Sequence, residues 1–315
     1  MELSGAQKQI NDACPFPLVY ASPSQRPYTH LPALDQFLCL FVEFFKISLL
    51  PANKAYSVHF FAGIAPVDLI FLIEGTRSDR SRAVIALLVG CLYQTISGAV
   101  AASLFWLVAV LAMASGKKGR APLAQAEAES VFIAISIGYV LPAIASIASH
   151  DEYIIAYWMF SPLFMSILQH LWLYIRPATA GPAYYTTRMA LITTLVISAF
   201  VHTSFVVAHS SPSPVMGFIQ WWPSFSVPDP RSTTAQAAVY RLMKWDSIVW
   251  YASANLGLVF LADSISDAMT MLVFAPIGSI VLSPGGYVAL LAIHRESKLT
   301  EQAKANALAA GRKKV

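Results

Sequence analysis

The chain is expected to be an all-α integral membrane protein, a single bundle of about eight transmembrane helices, and three observations lead to that expectation. Of its 315 residues, 57% are hydrophobic and only 12% are charged, whereas average soluble chains are roughly 45–50% apolar and about 25% charged. Mean hydropathy is +0.58. Apolar runs recur from about residue 31 to residue 294 without a long polar insertion, which points to one bundle rather than two domains.

Taken in order, residues 1–30 form an N-terminal arm, 31–297 the transmembrane helical bundle and 298–315 a basic C-terminal tail. The arm, "MELSGAQKQINDACPFPLVYASPSQRPYTH", has polar residues where a secretory signal needs a basic start and an apolar core, so it reads as retained and partly flexible. A helix crosses the hydrocarbon core with about 20 mostly apolar residues. That length selects 32–50, 56–74, 83–113, 129–147, 153–175, 189–209, 247–262 and 268–294. The first carries Asp35, Glu43 and Lys46, and the alternative for it is a helix lying in the interface. The third is long enough to tilt or project, and the seventh is short for a span. Pro142, Pro162 and Pro276 inside spans read as kinks that neighbouring helices tolerate. Residues 210–245 read as one long loop folded over the bundle mouth.

Of the three cysteines, Cys14 lies in the arm and Cys39 and Cys91 lie in apolar runs, with no CxxC pair; neither a disulfide framework nor a zinc site is expected. Net charge is +4, much of it in "RSDRSR" (77–82), "KKGR" (117–120) and the tail. Basic clusters beside apolar spans suit juxtamembrane loops, and no nucleic-acid partner is expected. The partners expected are the lipid bilayer and an apolar small molecule.

With eight spans, chain parity puts Asp35, Glu74, Arg77, Asp151, Glu152, His202 and Asp246 on one face, taken as cytoplasmic from its basic flanks, and Asp263 and Asp267 on the other. Ionisable groups at membrane depth are costly and by default mark a functional path; Asp68, Glu74, His202 and Asp246 are the candidates. In "PVDLIFLIEGTR", Asp68 precedes Glu74 by six residues, which on a helix of 3.6 residues per turn places them on different faces. Glu74 and Arg77, at i and i+3, pair on one helix side. That pair reads equally as an interfacial salt bridge and as a general acid with its neighbouring cation. Asp246, in "RLMKWDSIVW", also suits a helix N-cap, and His202 also suits a satisfied core position. Tyr139, Trp158 and Trp172 are candidates to line a pocket and stabilise a carbocation through their ring faces. The sequence lacks DDxxD, NDxxD, DxDD, HExxH, GxSxG and P-loop motifs, which argues against metal-assisted diphosphate chemistry and the common hydrolases. No metal site and no cofactor are expected.

The ordered series "LPALDQFLCLFVEFF", "FLIEGTR", "ISIGYVLPAIASI", "AYWMFSPLFMSILQ", "ISAFVHTSF", "KWDSIVWYASANLGLVF" and "VLSPGGYVALLAIHRES" resembles the fungal membrane-bound terpene cyclases of the ascofuranone and ascochlorin type, over about residues 31 to 297. The resemblance implies a non-metal cyclase of meroterpenoid biosynthesis that protonates a terminal epoxide, or less often an alkene, on a prenyl chain and guides the cation to a ring. It implies an epoxyfarnesyl chain on an aromatic or polyketide head group as substrate, and the endoplasmic reticulum as location. It pairs one glutamate with one aspartate on separate helices, matched here by Glu74 and Asp246, one as acid and the other as assistant or base. Arg77, Asp35, Asp68 and His202 would support them. The sequence departs from the family pattern at "EGTRSDR", where relatives tend to have glycine or asparagine soon after the arginine. The rival readings are a small-molecule membrane transporter, served by midplane charges such as Asp68 and Glu43, and a structural scaffold. A transporter reading is weakened by the lack of an internal repeat.

Overall fold

The computed structural model of the protein describes residues 5–15, 27–78, 83–114, 121–176, 183–208 and 233–312. Among the described residues all regular structure is helical. The helices are α1 Gly5–Ala13, α2 Pro32–Ser48, α3 Pro51–Ser78, α4 Ala83–Thr95 and α5 Gly98–Ala114. They continue as α6 Gln125–Ser149, α7 Glu152–Trp158, α8 Ser161–Ile175, α9 Tyr184–Ala208, α10 Ala235–Phe260, α11 Ile265–Leu282 and α12 Pro284–Arg312.

The all-helical expectation holds, and among the described residues length and apolar composition support four to five spans rather than clearly eight. Four helices, α3, α6, α9 and α11, are long and apolar enough to cross a membrane, and the bent pair α7 and α8 makes a fifth if taken as one span. Composition explains the shortfall. Helix α2 has 17 residues and carries Asp35, Glu43 and Lys46; α10 carries Arg241, Lys244 and Asp246 within its length. The expected span 83–113 is two helices, interrupted at Ile96 and Ser97.

Helix α3 is the axle. Its most apolar stretch is 89% buried, against 33% for α9 and 6% for α11, and it packs against α6, α9, α10 and α12. The prolines shape its neighbours. A proline removes the hydrogen bond to the carbonyl four residues back; Pro142 does so at Gly138, and the helix there widens into a π turn over Ser136–Val140. Pro162 opens α8 after a 56° bend from α7. Ser283 divides α11 from α12 in the left-handed region (φ 78°), where its Oγ accepts the Gly286 N–H at 2.8 Å and pairs with Ser198 Oγ at 2.7 Å.

Two further expectations are corrected, and one expected boundary falls within a helix. The arm is tied down: α1 packs on α2 and α10, and a Cys14–Cys39 disulfide joins it to α2 across a Cα separation of 5.8 Å. Spacing alone hides this pair, because only the folding back of the arm brings the two cysteines together. The expected loop 210–245 shortens, since α10 already begins at Ala235; residues 209–232 lie outside the described residues. The helix α12 runs through the expected boundary at 297 as far as Arg312.

Chain parity fails at Glu74. At the start of α3, Lys54 Nζ bonds His150 Nε2 at 2.8 Å, and Lys46 at the end of α2 pairs with Glu152 at 2.8 Å. Glu74 lies 20 residues further along α3, about 30 Å away at 1.5 Å per residue. There its partner Arg295 lines the same hollow as Asp263 and Asp267. Glu74 therefore sits at the other end of α3 from Glu152 and beside the hollow of Asp263 and Asp267, whereas chain parity put it with Glu152.

Candidate active site

The break between α4 and α5 builds the site. Ser97 and the first residues of α5 turn their donors toward α10. Asp246 Oδ1 accepts Ser97 Oγ–H at 2.5 Å and Ala99 N–H at 2.8 Å, and Oδ2 accepts Gly98 N–H at 3.2 Å. A carboxylate at a helix N-terminus satisfies orphan amides and meets the positive end of the helix dipole. Asp246 is thus a cap, as its residue type allows, but it caps α5 from within α10.

Beside this cap lies a cavity of about 280 Å³, near the small end of ligand pockets. Its walls are mostly aromatic: Phe45, Phe60, Phe61, Tyr139, Trp158 and Trp250 all face it. Their rings meet one another, Trp158 lying 4.8 Å from both Phe45 and Phe61, and 6.1 Å from Tyr139. The widened turn of α6 delivers Tyr139, whose hydroxyl donates to Phe61 O at 3.1 Å. Ile10 of the arm and Phe41 of α2 close another side. On α10, Leu242, Met243, Asp246 and Trp250 contribute from one helix face, the i, i+4 and i+8 spacing of Leu242, Asp246 and Trp250 accounting for it.

A second buried carboxyl group, Asp68, lies behind the lining and is joined to it through Tyr93. Phe61 and Ile64 of α3 line the cavity, and Asp68 follows them at i+7 and i+4 on the same helix face. Asp68 is 2% exposed. Its Oδ2 accepts the hydroxyl proton of Tyr93 at 3.0 Å, while Oδ1 has no hydrogen-bond partner among the described residues. Tyr93 itself lines the cavity, its ring 4.9 Å from that of Trp250. Trp158 Nε1 and Trp250 Nε1 are also buried without partners among the described residues. Buried polar groups are rarely left so, and two of these three belong to side chains that line the cavity.

Glu74 lies elsewhere. Turned to another face of α3, it accepts Arg77 Nη1–H at 2.7 Å and Nη1–H of Arg295, while Arg77 Nη2 donates to Glu296. All four side chains are at most 10% exposed, and the network fastens α3 to α12. The cavity lining includes Asp246 but neither Glu74 nor Arg77, so the structure does not bring the two expected catalytic carboxylates together.

The remaining candidates divide in the same way. Tyr139 and Trp158 face the cavity, whereas Trp172 donates its indole N–H to Glu129 at 3.3 Å and is not in the lining. Asp35 accepts the Thr29 N–H at 2.7 Å and Oγ1–H at 2.8 Å, fixing the turn before α2. Nearby, Tyr28 packs on Tyr153 at 5.6 Å between ring centres; burial, with the Glu152 and Glu43 carboxylates beside it, pushes its hydroxyl up from its ordinary value. His202 bonds His59 at 2.9 Å and Ile280 O at 2.9 Å. A carbonyl only accepts, so His202 Nε2 carries the proton.

Sequence reasoning missed Tyr93, Trp250 and Ser97 as site residues. The signal was "YQTISG", 93–98, a polar cluster in the middle of an otherwise apolar run. Among the described residues, no group of three or more His, Cys, Asp and Glu side chains is placed to hold a metal ion.

Fold and site together define the class: an all-α, membrane-compatible bundle built around an aromatic cavity with one carboxyl group in its wall and a second behind it. The chain belongs to the CtvD domain family, whose model matches residues 3–300. No curated protein and no solved structure matches it significantly.

Proposed function

We propose that this protein is a membrane-bound terpene cyclase of meroterpenoid biosynthesis, which closes an epoxyprenyl chain by metal-independent protonation. The substrate in this reading is an epoxyfarnesyl chain on an aromatic or polyketide head group. The observation that carries it is the cavity itself, with aromatic faces on most sides and Asp246 in its wall. Membership of the CtvD family supports a cyclase over a transporter.

The chemistry follows from the walls. An apolar prenyl tail partitions into the cavity, and protonation of the epoxide oxygen opens the C–O bond to leave positive charge on carbon. Indole and phenol faces attract that charge, and a dry enclosure delays capture by water. Asp246, held by three donors, is placed to stabilise the cation or take the final proton. Glu74, in this reading, positions α3 against α12 rather than touching substrate.

The test is to incubate membranes containing the protein with an epoxyfarnesyl aryl substrate and EDTA, comparing wild type with Asp246→Asn at matched expression. A cyclised isomer of unchanged mass, formed despite the chelator and lost in the variant, is expected. Equal product from both proteins would remove Asp246 from the reaction. No product across several epoxyprenyl substrates would remove the cyclase reading.

A further inference from the structure

The geometry points to Tyr93 as the group that delivers the initiating proton, backed by Asp68, with Asp246 as the base that receives the final one; this rests on the cyclase reading. Asp246 lines the cavity, Asp68 is joined to it through the lining residue Tyr93, and the hydrogen bonding of the two carboxyl groups differs in kind. Asp246 receives three donors, from Ser97, Gly98 and Ala99, and a carboxyl group that accepts at both oxygens is an acceptor in its resting role. Asp68 receives one donor, the Tyr93 hydroxyl, and its other oxygen has none among the described residues. It takes part in no ion pair among those residues. A buried carboxyl with so little compensation is costly as an anion, and that favours it as the store of a proton.

Tyr93 connects this store to the cavity. Asp68 lies one helical turn beyond Ile64, and Tyr93 forms the wall between Asp68 and the space where substrate binds. In the step proposed, the Tyr93 hydroxyl turns toward the epoxide oxygen and gives up its proton, while the Asp68 proton passes to Tyr93 Oη. The epoxide C–O bond breaks with its electron pair remaining on oxygen, which becomes a hydroxyl. A substrate alkene attacks the resulting carbon cation and closes the ring. The last cation loses a proton from the neighbouring carbon to the Asp246 carboxylate, and the C–H pair becomes the new double bond. Substrate and product are isomers, and Asp68 ends as carboxylate with Asp246 as acid, so proton return through solvent resets the site. Tyr93 touches the reacting atoms and is the catalytic residue; Asp68 acts through it and is a positioning residue.

The experiment compares wild type, Tyr93→Phe, Asp68→Asn and Asp68→Glu in membranes, with two substrates. The epoxyfarnesyl aryl compound reads turnover. The same compound without the epoxide reads binding, through quenching of the cavity tryptophans Trp158 and Trp250. Tyr93→Phe removes one oxygen and keeps the ring against Trp250. It is expected to lower kcat by about 100- to 1,000-fold, in the range of general acid catalysis, with binding of the unreactive compound within about 2-fold. Asp68→Asn is expected to fall similarly and Asp68→Glu to recover about 10-fold of that loss. Retention of kcat within about 3-fold in Tyr93→Phe overturns the assignment. So does loss of both turnover and binding, which would make Tyr93 a packing residue. If wild type itself cyclises nothing, the cyclase reading fails and takes the assignment with it, an outcome separate from either of those.

Discussion

The Trp250 ring fills the space that a side chain at Gly98 would need: a β-carbon there would lie 1.9 Å from the indole. The contact couples the helix break to the cavity, since Gly98 is the first residue of α5 and its amide bonds Asp246. Gly98→Ala therefore has to displace Trp250, the α5 terminus or both. Overpacking of this kind costs about 1–3 kcal/mol, and the expected outcome is a lower melting temperature in detergent with a larger fall in cyclisation. An alanine variant that melts and turns over as wild type would show that the break tolerates a side chain.

Glu74 is expected to matter for stability more than for chemistry. Removing one member of a buried ion network leaves the others uncompensated and costs about 3–5 kcal/mol. Glu74→Gln should thus lower the melting temperature sharply, while turnover per folded molecule stays within about 2-fold. A variant that melts normally but loses all product would return Glu74 to the role of acid implied by the resemblance.

The helical class was legible because 57% apolar composition leaves few alternatives, and the separation of Asp68 from Glu74 was legible because helical periodicity is local. Asp246 was legible as a cap in type but not in partner, since Ser97 and Gly98 come from another helix. The span count is least supported where hydropathy averages hid polar detail: the Gln94–Ser97 cluster breaks a run that its neighbours make apolar. Parity failed at Glu74, because a single miscounted helix moves every later residue to the wrong end. The cavity was not legible at all. Phe45, Phe60 and Phe61 look like any membrane phenylalanines until α2 and α3 are brought together.

The Cys14–Cys39 disulfide carries a topological prediction. Disulfides persist in oxidising compartments and are rare in the cytosol, so the arm and the start of α2 are expected on the lumenal side, against the cytoplasmic orientation that the basic flanks suggested. Labelling with a membrane-impermeant maleimide polymer checks this. Intact sealed microsomes should show no shift at either cysteine before or after an impermeant reductant, and opened, reduced microsomes should show both. Loss of the bridge in Cys14→Ser should cost about 2–4 kcal/mol. It should also loosen Ile10 from the cavity wall, raising the share of water-captured diol among the products.

Trp158 offers the sharpest separation of cavity shape from proton chemistry. Among the described residues it bonds no carboxyl group, and its ring meets Phe45, Phe61 and Tyr139 within one aromatic cluster. If the ring faces stabilise the travelling cation, Trp158→Leu weakens the later cationic states without touching the initiating proton. An aromatic face contributes about 0.5–2 kcal/mol to a desolvated cation, equivalent to about 2- to 30-fold in partition between competing steps. The expected result is that epoxide consumption stays close to wild type, while partly cyclised and water-captured products rise at the expense of the final ring. Trp158→Phe keeps a ring face and should fall between the two. A variant that slows epoxide opening by the same factor as every later step would instead place Trp158 in substrate binding, and product ratios from a single chromatogram distinguish the two.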